Sequence, residues 1–175
     1  MLKGTRCNLR PFKESDLDQY MDLVNDVGSL SGYSSIRLKS EVDVKREFAD
    51  TGFLGEHRGR LLIVAPDGRM VGSAGYFPSN ALYDGFEVGY RIFRRDDMGK
   101  GYASDALRTL VGYMFNSRYF NRLQLTVIAG HEASEKVALK CGFSREGVAR
   151  GASTENGVAR DVVVYSLLRR EFEAL

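Results

Sequence analysis

The sequence predicts an α+β fold, in which a mixed β-sheet carries helices on both faces. Strand patterns outnumber helical patterns, and the predicted order of elements is β-α-α-β-β-β-α-β-α-β-β. A strand, a glycine-bearing turn and an amphipathic helix follow one another within residues 86–114. The strand after that helix is expected to run parallel to the strand before it, which predicts a right-handed βαβ crossover.

Length and charge are those of a single domain without a nucleic-acid tail. The 175 residues, 43% of them hydrophobic, suffice for one sizeable core, so we expect one domain over residues 1–175. The 25 basic and 23 acidic residues leave a formal charge of +2, and no long block of like charge occurs. We therefore expect no nucleic-acid partner.

Cysteine content and the first residues predict a reduced, metal-free, cytoplasmic protein. Cys7 and Cys141 are too few for a disulfide framework, and His57 and His131 do not cluster with them. The N-terminal residues are charged where a secretion signal would be apolar, and no apolar run reaches the ~20 residues of a membrane span. No membrane partner is expected.

The N-terminal segment is predicted to form a strand and a helix. Arg6–Phe12 alternates as a strand does, and Ser15 has the character of an N-cap. Gly28 is the predicted stop. The apolar positions with helical spacing between them are Leu17, Tyr20, Met21, Val24 and Val27.

A loop, a second helix and a hairpin follow. Ser29–Lys39 is rich in Ser and Gly and is predicted to be a loop, and Ser40–Ala49 a shorter helix. Arg60–Ala65 and Met70–Phe77 are apolar runs joined by Pro66-Asp67-Gly68-Arg69. Pro, Asp and Gly favour tight turns, so these runs predict a β-hairpin.

The C-terminal half is predicted to alternate strands with helices. Phe86–Phe93 has the composition of a strand, and Ala103–Arg118 has helical periodicity. The predicted elements that follow are a strand at Arg122–Ile128, a helix at His131–Cys141 that Gly142 stops, and strands at Phe143–Arg150 and Arg160–Leu168.

The turn before the helix at residue 103 is suited to bind a phosphate. Gly99 and Gly101 lack a Cβ, so the backbone can approach a ligand closely, and the next N–H groups begin a helix and lack helical partners. A Walker loop is excluded, because Arg94 stands at its first glycine and Gly101 follows Lys100. The dinucleotide pattern is excluded, because Ser104 stands at its third glycine.

The remaining pattern, Gly101-x-Ala103 after a strand, resembles the pyrophosphate signature Gln/Arg-x-x-Gly-x-Gly/Ala of the GNAT superfamily of N-acetyltransferases. Met98 stands in place of the Gln/Arg. The run NRLQLTVIAGHEASEKVALKCGFSREG resembles the second half of the family's cofactor cleft. RCNLRPFKESDLDQYMDLVND and RDVVVYSLLRREF resemble the ends of the ribosomal-protein N-terminal (alanine/serine) acetyltransferase branch. The resemblance covers most of residues 5–172 and implies a GNAT-like, largely antiparallel mixed sheet whose splayed parallel strand pair holds the cofactor.

The resemblance also implies acetyl-CoA as co-substrate, without a metal. Backbone N–H groups of the turn would bind its pyrophosphate, with Lys100 adding charge. Its pantetheine arm would pair with the backbone of residues 91–93, and a bulge at Gly89 would open the strands, although a glycine packed under a neighbour gives the same pattern. The predicted cofactor-binding residues are Arg91, Ile92, Phe93, Met98, Gly99, Lys100, Gly101, Tyr102, Ala103 and His131.

Catalysis needs a general base, because the acceptor amine is protonated near neutral pH. Glu87 is the first candidate, since the period of two places it opposite Val88 and beside the splay; a surface carboxylate is the alternative. Ser134 occupies the position of the family's serine, which would protonate the departing thiolate. His131, where the related motif has Asn, is a second option as the base. Tyr33, in the region that borders the family's acceptor site, is either a substrate contact or an exposed packing residue.

These observations predict an acetyl-CoA-dependent N-acetyltransferase that acts on a primary amine. The acceptor is a protein N-terminus, as the branch resemblance implies, or a small amine such as an antibiotic or metabolite. A non-catalytic acyl-CoA sensor and a protein-binding module are the other function classes, and both monomer and homodimer stay open. Transfer is expected to be direct, because Cys141 is placed on the apolar side of its helix and lacks an evident base.

Overall fold

An eight-stranded sheet organises the structure, a computed structural model that describes residues 1–29, 33, 36–80 and 82–174. The strands in chain order are β1 (Leu2–Lys3), β2 (Asn8–Arg10), β3 (Gly59–Val64), β4 (Met70–Pro78), β5 (Gly85–Ile92), β6 (Arg122–Ile128), β7 (Ser144–Glu155) and β8 (Val158–Leu168). Across the sheet their order is β1-β2-β3-β4-β5-β6-β8-β7. Neighbours are antiparallel except β5 and β6, which are parallel. The predicted mixed α+β sheet is confirmed.

Helices cover both faces of this sheet. They are α1 (Leu17–Asn25), α2 (Glu41–Thr51), α3 (Tyr102–Ser117), α4 (Glu132–Lys140) and α5 (Arg169–Phe172). Neighbouring residues of β3 point to opposite faces: Leu61 belongs to the core cluster with α3 and α4, and Leu62 to the cluster with α1 and α2. The described helices include none that is long and apolar enough to span a membrane.

The first helix begins and ends differently from the prediction. Ser15 is not an N-cap but lies inside the 3-10 turn Glu14–Asp16, and α1 ends at Asn25 rather than at Gly28. The carboxylate of Asp16 fixes this turn instead. It accepts the Lys13 N–H at 2.7 Å and bidentate hydrogen bonds from the Arg10 guanidinium at 2.6 and 2.8 Å. The hydrogen bonds from Arg10 lower the pKa of Asp16. A charged partner from the neighbouring strand thus displaces the local serine cap.

The second helix and the hairpin form where they were predicted, although the helix, predicted as Ser40–Ala49, begins at Glu41 and ends at Thr51. Ser40 is the N-cap of α2, and its hydroxyl accepts the Asp43 N–H at 3.4 Å. Gly52 ends this helix in the left-handed conformation, with φ of 60°. The turn between β3 and β4 is closed by the Ala65 N–H, which donates to the Arg69 carbonyl at 2.9 Å.

A gap between β5 and β6 is the feature that positions the site. The parallel pair is in register only from Gly85 and Arg122 to Glu87 and Gln124. Beyond this point β5 continues alongside β4 and β6 continues alongside β8, so the twisted strands part.

The gap does not depend on the bulge that was predicted at Gly89. The register between β4 and β5 is continuous through Gly75 and Gly89, so that prediction is wrong. The alternative, a glycine packed beneath a neighbour, is also wrong, because a Cβ at Gly89 would have no atom within 4 Å. β5 and β6 separate because β5 stays paired with β4 and β6 stays paired with β8.

Candidate active site

A cleft of about 340 Å³ opens on the α3 and α4 side of the gap; we call it the cofactor cleft. Most of the residues predicted to bind the cofactor line it, together with Ser134 and with Tyr90, which the sequence analysis did not single out. The predicted residues in its lining are Arg91, Ile92, Met98, Gly99, Gly101, Tyr102, Ala103 and His131. Residues far apart in the chain therefore meet at one surface.

The glycine turn gives this cleft a set of backbone donors. Gly99 and Gly101 have φ of 74° and 84°, and Gly101 is the N-cap residue of α3. A Cβ on Gly101 would lie 2.8 Å from Cδ of Arg6, whereas a Cβ on Gly99 would have no atom within 4 Å. The N–H groups that follow Gly101 begin a helix of 16 residues, so they carry its positive dipole end and suit a pyrophosphate.

Two predicted cofactor contacts, Phe93 and Lys100, lie outside the cleft lining. The Phe93 N–H donates to the Val71 carbonyl at 3.0 Å, and its side chain is 1% exposed in the second core cluster. Because hydrogen-bonding direction alternates along an antiparallel strand, the peptide groups of Ile92 face the gap instead. Lys100 Nζ lies 3.5 Å from the carboxylate of Asp97, which reduces the charge it offers to a ligand.

The carboxylate of Glu87 bridges β5 and β6 where their pairing ends. It accepts the Thr126 hydroxyl at 2.5 Å and the Gln124 amide at 3.0 Å. All three side chains belong to the sheet face opposite the one that Val88, Leu123 and Leu125 bury. No role was predicted from the sequence for Gln124 and Thr126. Their alternation with apolar residues in β6 is the pattern that could have indicated it, because it places both on the face of the strand opposite the apolar side chains.

Ser134 is held from the other side of the gap. Its hydroxyl lies 2.9 Å from the phenol oxygen of Tyr90, so α4 and β5 are joined by this hydrogen bond. Burial raises the pKa of Tyr90 to about 12, so the phenol stays protonated at neutral pH and can donate to the serine. The pair therefore joins α4 to β5 in the lining of the cofactor cleft.

Tyr33 and His131 stack on one another. Their ring centroids are 4.5 Å apart with an interplanar angle of 9°, and the Tyr33 hydroxyl donates to the Gly130 carbonyl at 2.8 Å. Burial lowers the pKa of His131, so the imidazole is largely neutral at pH 7. This contact gives Tyr33 a packing partner; its role towards a substrate stays a prediction. Other residues of the predicted loop, 30–32 and 34–35, lie outside the described part of the chain.

A second cleft, of about 560 Å³, lies between α2 and strands β3 to β5; we call it the acceptor cleft. Tyr90 and Arg91 line both clefts, so the two cavities approach each other at β5. The floor includes Gly75 and Gly89, which are paired across β4 and β5. A donor bound on one side of the sheet and an acceptor on the other side could thus meet near the gap.

Both cysteines are buried and free. Burial raises the pKa of Cys7 to about 12 and that of Cys141 to about 11, so both thiols are protonated at neutral pH. Cys141 Sγ donates to the Ser104 carbonyl at 3.3 Å. Within the described ranges, no group of His, Cys, Asp and Glu side chains has the arrangement of a metal site.

Sequence comparison identifies the family to which this fold, with its glycine turn and its gap between parallel strands, belongs. The model of the GNAT acetyltransferase domain matches residues 6–144, so the chain belongs to this family of N-acetyltransferases. Members transfer an acetyl group, and acetyl-CoA is the donor that the fold binds.

Proteins similar to this chain are named for different kinds of amine acceptor. The chain is 34% identical over 131 residues to "Putative ribosomal N-acetyltransferase YdaF" of Bacillus subtilis (strain 168), which covers 75% of this chain and 68% of that protein. It is 20% identical, with a TM-score of 0.82 and 96% of each chain covered, to RimL, a ribosomal L7/L12 alpha-N-protein acetyltransferase bound to coenzyme A. It is 18% identical, with a TM-score of 0.82 and 96% and 98% coverage, to Vibrio cholerae spermidine N-acetyltransferase bound to CoA and spermine.

Proposed function

We propose that this N-acetyltransferase acetylates the α-amine of a protein N-terminus. The observation that carries the proposal is the approach of two clefts at Tyr90 and Arg91 of β5, beside the gap from β6. Ser134 lies in the cofactor cleft, and Glu87, which lines neither cleft, lies where the pairing of β5 and β6 ends. The acceptor cleft, at about 560 Å³, has room for several residues of an extended chain. The similarity to YdaF and RimL supports a protein acceptor.

Acetyl-CoA would bind in the cofactor cleft through the chain's own backbone. The N–H groups after Gly101 would bind the pyrophosphate, and the peptide groups of Ile92 would pair with the pantetheine arm. Met98 and His131 would contact the cofactor through their side chains. Lys100 would add charge at the turn from its position beside Asp97.

The chemistry would be a direct transfer. Glu87, oriented by Thr126 and Gln124, would take a proton from the ammonium group, so that the nitrogen lone pair can attack the thioester carbonyl carbon. The new C–N bond forms as the C–S bond breaks. Ser134 would give a proton to the sulfur while Tyr90 donates to the serine oxygen. The pair would regain this proton from solvent, and the nitrogen would release its second proton to solvent, as Glu87 does after transfer. Both cysteines are protonated and buried, which supports transfer without an acetyl-cysteine.

We also infer that residues 1–175 act as one N-acetyltransferase domain in the cytoplasm. The two core clusters lie on the two faces of one sheet, which supports a single folding unit. Monomer and homodimer both stay open.

A small-molecule amine is the second candidate for the acceptor. The observation in its favour is the overlap with the spermidine N-acetyltransferase fold at a TM-score of 0.82. An acyl-CoA sensor without turnover would share the cofactor cleft but would have no use for the bridged carboxylate of Glu87.

The deciding experiment is an acceptor screen that measures released thiol and acetylated product. Purified protein receives acetyl-CoA with N-terminal peptides, with spermine or with an aminoglycoside, and Glu87→Gln serves as the matched inactive variant. We expect turnover with peptides that depends on a free α-amine. Turnover with spermine alone would establish the small-molecule function, and binding of acetyl-CoA without turnover on any amine would establish the sensor.

A further inference from the structure

The acceptor cleft carries an excess of positive charge. The charged residues in its lining are Arg58, Arg60 and Arg91 against Glu47 and Asp50. Arg60 and Glu47 are 3.6 Å apart, which is loose for an ion pair. A further cation lies nearby: burial, and then the charges of Arg60 and Arg91, lower the pKa of Lys39. These cations repel one another in a half-buried site and so favour an anionic ligand.

Arg91 is the cation of this lining that has a buried N–H group without a hydrogen-bond partner among the described residues. Its Nη1 donates to the Val24 carbonyl at a long 3.4 Å, and its Nη2 is buried without a hydrogen-bond partner in the described part of the chain. No carboxylate of the described residues lies within 4.0 Å of the Arg91 guanidinium, which is the limit for an ion pair. Burial lowers the pKa of Arg91, against the opposing charges of Tyr20 and Asp26. A buried N–H without an acceptor is costly, and an anion in the cleft would supply the missing acceptor once the guanidinium turns towards it, because Nη2 is closed to solvent in this structure.

The geometry of β5 separates this anion site from the general base. Glu87, Gly89 and Arg91 share one face of the strand, because side chains alternate with a period of two. A Cβ at Gly89 would have no atom of the described residues within 4 Å, so the strand face is open at the residue midway between Glu87 and Arg91. Four residues of strand span roughly 13 Å, which is about the length of three to four residues of an extended peptide.

We propose that the acceptor carries a carboxylate about two to four residues from the reacting amine, and that Arg91 and Arg60 bind it. This inference rests on the proposed function and narrows its substrate to protein N-termini with an acidic residue shortly after the first position. The same charges disfavour a polyamine, whose second ammonium group would meet Arg91 and Arg60.

The test uses three peptides that differ only at the third residue, which is Glu, Gln or Lys, each with a free N-terminal alanine. We expect kcat/KM to be about 10–100-fold lower for the Gln peptide than for the Glu peptide, as for loss of a charge-assisted hydrogen bond. The value for the Lys peptide should be lower still. Arg91→Gln should abolish the preference by lowering the Glu value to that of Gln. Arg46→Gln is the matched control, because Arg46 is an exposed arginine of α2 outside the cleft lining.

Several results would overturn the inference while the proposed function stands. One is equal kcat/KM for the three peptides in the wild type. Another is an Arg91→Gln variant that keeps the preference and only raises the KM for acetyl-CoA, which would assign Arg91 to the cofactor. If no peptide turns over, calorimetric binding of the N-acetylated Glu, Gln and Lys peptides to the CoA-bound protein still decides the matter. Equal affinities of the three N-acetylated peptides would refute the anion site. If the Arg91→Gln variant does not fold, Arg91→Lys replaces it in both measurements.

Discussion

Glu87 is the residue on which proton removal from the acceptor depends. Replacing it by Gln keeps the hydrogen-bonding shape beside Thr126 and Gln124 but removes the base, so we expect kcat to fall by about 10²–10⁴-fold and the acidic limb of the pH profile to flatten. The measurement is a pH series of turnover at saturating acceptor, with Glu132→Gln, an exposed α4 carboxylate, as the control. An unchanged profile would transfer the role of base to His131 or to the loop at residues 29–39.

The pair of Ser134 and Tyr90 is expected to act as a unit. Ser134→Ala should slow transfer less than Glu87→Gln, because a thiolate is a tolerable leaving group and water can replace the donor. Tyr90→Phe should slow it by about 10-fold, since the serine loses the partner at 2.9 Å that orients it. A double-mutant cycle on kcat tests the coupling: the double variant should be no slower than Ser134→Ala. Additive losses would show that Tyr90 acts independently of the serine.

At the residue scale, the sequence predicts a site residue whose role depends on a local pattern, and it misses one whose role depends on a tertiary contact. Glu87 and Ser134 were predicted from strand period and from family resemblance. Tyr90 was not, because its hydroxyl acquires its role only through contact with α4. Arg91 was predicted as a backbone contact of the cofactor, and the structure places this residue in the lining of both clefts.

The glycine turn before α3 is the element that should decide acetyl-CoA binding. Gly101→Val places a β-branched side chain at φ of 84° and against Arg6, so the turn must rearrange and thermal stabilisation by acetyl-CoA should be lost. Gly99→Ala is the matched comparison, because its Cβ meets open space and only the strain of φ of 74° remains. We expect a reduced but measurable shift for that variant. Equal thermal shifts for wild type and Gly101→Val would refute the assignment.

Elements with a strong period were predicted nearly to the residue, and short ones were missed. The strand Arg122–Ile128 agrees with its prediction, and α3 is displaced by one residue at each end. β1 has two residues and α5 has four, too few to show a period. The gap was expected from the resemblance, but its cause is topological, because β6 stays paired with β8 and β5 stays paired with β4. No local residue pattern predicts these pairings.

At the scale of the whole molecule, Asp105 joins the N-terminal segment to α3. Its carboxylate accepts the N–H groups of Thr5, Arg6 and Cys7 and the Thr5 hydroxyl, at 2.7 to 3.2 Å. A Cβ on Gly4 would lie 2.4 Å from this carboxylate, so the segment fits around it closely. Asp105 lies in the first turn of the helix that begins at the phosphate-binding turn. The first strands and the cofactor cleft therefore share one anchor.

This anchor predicts a specific pH dependence of stability. Burial raises the pKa of Asp105, but the hydrogen bonds from Arg6, Thr5 and Cys7 outweigh it and lower the pKa to about 2, from an ordinary value of 3.8. A carboxyl with a lower pKa in the folded state stabilises the fold above its unfolded pKa and loses that contribution as the pH falls towards the folded value. The contribution, about 2 kcal/mol at pH 7, should therefore decline between about pH 4 and pH 2.

Asp105→Asn tests this, because the amide keeps the size of the side chain and removes the charge. We expect the free energy of unfolding in urea to fall by about 2 kcal/mol at pH 7, and the difference from wild type to shrink as the pH is lowered towards 3. Asp43→Asn is the control, since that carboxylate is exposed on α2 and pairs only at the surface with Arg46. A difference that stays constant with pH would mean that Asp105 stabilises the fold by shape and not by charge. In that case the anchor between the N-terminal strands and the phosphate turn would not respond to acid.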